Sequence, residues 1–226
     1  MTEAAAHGAH PPGFAHQFED MQQQREAGNL GMWVFLVTEI LFFGGMFTAY
    51  IVYRLLHYES FVTGSHLLEV KFGATNTYVL ICSSLTMALA IRSAQTGKRK
   101  GQIIFWLILT MIFGALFLGL KFTFEWRHDY IEHIVPGFGF QYRPEWGSLG
   151  PGVQMFMCFY FFMTGMHAVH MIVGLGILTV LVIMTARNKF SPGYYAPLEI
   201  SGLYWHFVDI VWIFLFALLY LIGGRY

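Results

Sequence analysis

Five long runs of apolar residues, separated by short polar stretches, dominate the chain. They cover residues 30–53, 74–91, 102–120, 153–186 and 203–223 and hold only two charged residues, Glu39 and Asp209. Each is about long enough to cross the ~30 Å hydrocarbon core of a bilayer. Strands of a membrane barrel alternate apolar and polar positions over about ten residues, whereas these runs are apolar on every face. The helix is then what satisfies the backbone in hydrocarbon. The pattern predicts an all-α, polytopic membrane bundle of five transmembrane helices. The fourth, Val153 to Ala186, would be about 51 Å long at 1.5 Å per residue. It is expected to tilt or pass beyond the interface, starting just after Pro151-Gly152.

Composition sharpens this picture. Only 12% of the 226 residues are charged and 56% are apolar, where a soluble domain carries about 25% charged residues. The 13 basic and 13 acidic residues cancel, so no net field draws the chain to nucleic acid. Cys82 and Cys158 both lie in apolar runs and form no Cys-x-x-Cys, which excludes a disulfide scaffold, a zinc knuckle and covalent c-type haem attachment. Residues 1–29 read as a polar cytoplasmic tail ahead of a membrane domain at 30–226. Its His7, His10 and His16 are taken as solvated, and Phe14, Phe18 and Met21 hint at a short interfacial helix. The tail lacks a leader-like apolar segment, so the first span is expected to direct insertion.

Seven of the 13 basic residues (Arg25, Arg92, Lys98, Arg99, Lys100, Arg187 and Lys189) fall on one side of the predicted spans. The positive-inside rule places that side, and the N-terminus, in the cytoplasm and the C-terminus outside. The segment Lys121 to Gly152, rich in glycine, proline and aromatics, is expected to form an ordered external cap.

Charges inside a bilayer are costly and invite a functional reading. Glu39 lies ~14 Å beyond Leu30 at helical rise, with Phe35, Leu36, Phe42 and Phe43 on its face. That apolar surround favours the uncharged acid, either as a proton-handling group or hydrogen-bonded to Thr38 or a neighbouring helix. His167 and His170, and likewise His206 and Asp209, are spaced i, i+3 and share a helix face. Two readings compete: a metal or haem site, and a polar girdle that ties helices together. Bundle di-iron sites want about four carboxylates with Glu-x-x-His pairs, and Glu39, Asp209 and Glu125 supply no such pair. The girdle is preferred, with no metal site. Arg54, Arg92 and Arg187 sit at span ends, where guanidinium groups either grip lipid phosphates or snorkel to water. Gly44, Gly45, Gly114, Gly119, Gly174 and Gly176 offer close helix approach, and Trp33, Trp126, Trp146 and Trp205 fit interfacial belts.

These motifs carry a resemblance. Tyr204-Trp205-His206-Phe207-Val208-Asp209-Ile210-Val211-Trp212 closely resembles the C-terminal helix signature of subunit III of haem–copper oxidases. Thr164-Gly165-Met166-His167-Ala168-Val169-His170 looks like that family's Thr-Gly-x-His-x-x-His motif. The segment from Gly31 to Phe43 resembles the helix bearing its buried carboxylate, and Thr75-Asn76-Thr77 and Glu125 also fit. The resemblance implies a five-helix bacterial form, lacking two helices that precede Glu39's helix in the seven-helix form. It implies a subunit without haem or copper of its own, packed beside subunit I, which carries those cofactors and reduces dioxygen. Subunit II and further subunits complete such assemblies in the bacterial plasma membrane. Members of the family bind structural phospholipids and support proton uptake. By position, Glu39 is the buried carboxyl, and His167, His170, His206, Asp209 and Glu125 are the polar network. The expectation is a cytochrome c oxidase; the alternatives are a quinol oxidase and, in a different class, an autonomous metal or haem protein using His167, His170 and His206.

Overall fold

A computed structural model describes residues 17–137, 139–190 and 194–221. His7, His10, His16 and Phe14 lie outside the described residues. Seven α-helices follow in order: α1 (Met21–Leu56), α2 (Tyr58–Ser65), α3 (Val70–Gln95), α4 (Lys100–Leu120), α5 (Arg127–Ile131), α6 (Gly150–Ala186) and α7 (Ala196–Tyr220). A π-helical turn, Lys121–Trp126, fuses α4 to α5, and a 3-10 turn, Pro144–Leu149, leads into α6. No strand occurs among the described residues, and five of the helical segments are long and apolar enough to cross a membrane.

The bundle centre is built from α3, α4, α6 and α7, with α3 packed on α4 and α7, and α6 on the same two. The α3–α4 hairpin closes tightly through Gly97, whose φ of 64° suits a residue without Cβ. α1 lies at the edge. Its buried residues, Leu36, Phe43 and Tyr50, recur every seven positions, which on a helix is one narrow stripe. Leu30, Val34, Val37 and Leu41 face away from the bundle.

Two sequence expectations are corrected. The tail does not extend to residue 29: Asp20 caps α1 by accepting from the Gln23 amide at 2.6 Å, and the helix runs unbroken for 36 residues. Hydropathy marks where hydrocarbon begins, whereas a helix continues as long as its backbone bonds are made. The polar first turns are held by Arg25, which donates to Glu199 at the start of α7 at 3.0 Å. Phe18 and Met21 therefore lead into α1 itself and not into a separate helix. The external cap does not start at Lys121 either, because the helix continues to Ile131 with Lys121, Glu125 and Asp129 buried. Their spacing of four puts all three on one inward face. The loop proper is much shorter, and α6 begins at Gly150 with Pro151 in its first turn, where a missing N–H costs nothing.

Candidate functional site: a divided polar interior

The residues expected to form one polar girdle fall into four separate places. In the first, Glu39 of α1 meets His170 of α6, Oε2 to Nε2 at 3.1 Å. Thr38 bonds its own helix at Phe35, so the partner of Glu39 is a neighbouring helix. The other ring nitrogen of His170 lies 2.8 Å from the Met166 carbonyl. A carbonyl only accepts, so Nδ1 carries a proton. The Glu39–His170 contact then holds one further proton, shared as carboxyl-to-imidazole or imidazolium-to-carboxylate. Phe43 packs edge-on against the imidazole, and the Tyr204 hydroxyl donates to the His170 carbonyl at 2.9 Å. An apolar groove of about 450 Å³ between α1, α6 and α7 opens onto this pair.

His167, one helical turn away, is wholly buried, and neither ring nitrogen has a hydrogen-bond partner among the described residues. Phe117 and Trp212 enclose it at 5.4 and 5.3 Å between ring centroids. Aromatic packing, not a polar contact, positions this imidazole.

His206 and Asp209 belong to a third place, on the side of α7 that faces α3. Ser84 and His206 Nδ1 are 2.6 Å apart. Asp209 lines the same groove as Ser84, whose hydroxyl is its side-chain hydrogen-bond partner there. Nearby, Trp205 is buried and donates to Ser83 at 2.8 Å, so it belongs to the core and not to an interfacial belt. The same holds for burial of Trp146, while Trp33 is exposed. Of the six small positions, only Gly114 and Gly174 admit a close neighbour, the Trp205 indole; nothing approaches Gly44, Gly45, Gly119 or Gly176.

The fourth place centres on Lys121, which the sequence pattern assigns to the external cap. Lys121 is 1% exposed. Its ammonium donates to Glu125 at 2.5 Å, Tyr160 at 2.9 Å and Tyr220 at 2.6 Å, which uses all three protons. Both tyrosine hydroxyls donate onward to Glu125 Oε2, Tyr160 at 3.0 Å. Asn76 of α3 reaches Glu125 Oε1 at 3.4 Å. Ring faces of Tyr160, Trp212 and Tyr220 lie 4.6–5.3 Å from the ammonium. Lys121 and Glu125 both lie in the π turn and are buried, and such turns are frequent at functional sites. The signal was present in sequence as Lys121, Glu125 and Asp129 at spacings of four, a charged stripe continuous with an apolar helix.

No group of three or more His, Cys, Asp or Glu side chains among the described residues is placed to hold a metal ion. Arg54 ends α1, Arg92 ends α3 and Arg187 caps α6. Arg92 and Arg187 are exposed, and Arg54 lies partly over the Tyr58 ring at 6.0 Å.

Comparison with known proteins decides what this architecture is. Residues 15–224 match the family described as cytochrome c oxidase subunit III. The chain belongs to the subunit III family of haem–copper oxidases. It is 30% identical over 206 residues to quinol oxidase subunit 3 of Bacillus subtilis (strain 168), covering 90% of this chain and 92% of that protein. It is 34% identical over 203 residues to cytochrome bo(3) ubiquinol oxidase subunit 3 of Pseudomonas aeruginosa, covering 86% and 84%. The Pseudomonas putida protein of the same description is 29% identical over 226 residues, 99% of both chains. As a subunit III, this multi-pass membrane protein is one component of a multi-subunit terminal oxidase.

Proposed function

We propose that this chain is the subunit III of a quinol oxidase, a bundle without catalytic centre that packs directly beside subunit I. The observation that carries the donor class is the near full-length similarity to proteins described as quinol oxidase subunits. This revises the expectation of a cytochrome c oxidase drawn from motifs alone, since those motifs belong to both groups. The interior supports a structural role. Several of its buried polar groups are joined to one another across helix boundaries, as Lys121 and Glu125 are with α6 and α7. The haem and copper chemistry belongs to subunit I. What this chain supplies is a rigid flank, the Glu39–His170 pair with its shared proton, and arginines at span ends for phospholipid phosphates. Proton uptake is supported through that pair.

The enzyme sits in the bacterial plasma membrane with the start of α1 in the cytoplasm, a direction supported by the basic residues between α3 and α4 and after α6. Oxygen consumption by the purified complex, supplied in turn with ubiquinol and reduced cytochrome c, tests the donor. Turnover with the quinol alone is expected. Turnover with cytochrome c alone would transfer the chain to the cytochrome c oxidases.

A further inference from the structure

Two buried carboxylates, Glu125 and Asp129, stand beside one buried ammonium, that of Lys121. Lys121 spends its three protons on Glu125, Tyr160 and Tyr220, so Glu125 is matched and Asp129 is not. Asp129 is 4% exposed, and its Oδ2 has no hydrogen-bond partner among the described residues. It lines a cavity of about 40 Å³ whose buried lining includes Glu125 and Tyr160 and whose exposed lining includes Glu69 and His128. A further charged neighbour, Glu132, is engaged with Arg143 at 2.6 Å.

A buried carboxylate without a matching charge is costly, and a proton or a bound cation relieves the cost. The donor set decides between them. No three His, Cys, Asp or Glu side chains among the described residues are placed to hold a metal ion, which leaves the proton. Asp129 lies close to the end of α5 at Ile131, about 3 Å away along the helix, with exposed neighbours on either side, so water reaches it. A buried water needs roughly 10–15 Å³ of such space and about two to four polar partners. The cavity has room for one or two, and it is far too small for a lipid headgroup or a quinol ring. Asp129 Oδ2 is one partner. Glu125 Oε1 is another: its contact from Asn76 is long, at 3.4 Å, and a carboxylate oxygen has two lone pairs with which to accept.

We propose that this cavity is a proton-binding site, in which water joins Asp129 to Glu125 and Asp129 carries a proton at neutral pH that exchanges with bulk water past Glu69 and His128. Outward, Asp129 Oδ2 gives its proton to the cavity water as that water passes one of its own to the His128 imidazole or to bulk water, and the return runs the same way. Inward, the same water hands a proton to Glu125 Oε1, so the single excess negative charge moves between the two acids while Lys121 stays charged. With the start of α1 in the cytoplasm, the site opens on the outside.

Infrared spectroscopy of the assembled oxidase at neutral pH tests it. The expected spectrum contains the C=O stretch of a protonated carboxylic acid that shifts on mixing with D₂O. That band is lost in Asp129→Asn and moves in Glu125→Gln, where the water meets an amide. An Asp129→Asn spectrum that keeps every carboxylic-acid band, or a band lost there that had not shifted in D₂O, would overturn the proposal. A high-resolution density map of the unsubstituted complex is the second measurement and does not depend on the variants folding. Water within hydrogen-bond distance of both Asp129 and Glu125 is expected. A dry cavity, or a metal cation in it, would overturn the site.

Discussion

Lys121 and Glu125 set the cost of change at single positions. Removing one member of a buried, hydrogen-bonded ion pair strands the other, at about 3–5 kcal/mol, whereas replacing both by apolar or neutral groups of similar volume is often close to neutral. Lys121→Met is therefore expected to lower sharply the temperature at which the chain leaves the solubilised complex. Lys121→Met combined with Glu125→Gln should recover much of that loss; additive losses would contradict the network. The Glu39–His170 pair makes a gentler prediction. Glu39→Gln keeps a polar partner for His170, whereas Glu39→Leu strands a ring nitrogen at about 1–3 kcal/mol. Protons pumped per electron and turnovers before inactivation, measured for Glu39→Gln, read the function of the shared proton. A fall in either is expected, and unchanged values in both would leave Glu39 as packing. Sequence made Glu39 and the histidines visible because charge and imidazole stand out against apolar runs. It gathered them into one girdle, since helix-face arithmetic ranks neighbours on one helix and is silent on which faces of different helices meet. Asp209 and His206 face α3, while His170 faces α1.

The helices themselves were largely legible, because lipid forces both length and apolarity on a span. What escaped were features independent of hydropathy: the polar first turns of α1 and the π turn that carries α4 into α5. In both, hydrogen-bonded backbone outlasts the apolar run. Close packing was half legible. Gly114 and Gly174 flank the Trp205 indole, and a Cβ at either would fall 2.7–2.9 Å from ring carbons. An indole held by Ser83 cannot swing aside without losing that bond. Gly174→Val is expected to destabilise by roughly 1–3 kcal/mol, measurable as earlier dissociation on heating, while Gly176→Val, with open space around it, should have little effect. Equal effects would refute the packing assigned to Trp205.

As a whole, the molecule is a bundle with a closely packed interior and large apolar faces on α1, α3 and α7 that no described residue covers. In a membrane such faces are free to meet lipid, so apolarity alone does not reveal a partner. Assembly with a cofactor-bearing subunit underlies every role given to this chain. Its most direct test is a mild-detergent affinity purification of this chain from native membranes. A reduced-minus-oxidised visible spectrum is recorded before and after its partners are stripped. Haem bands that arrive with a large partner and leave with it are the predicted result. Bands that stay with the lone chain would make His167, His170 or His206 a ligand and contradict the account.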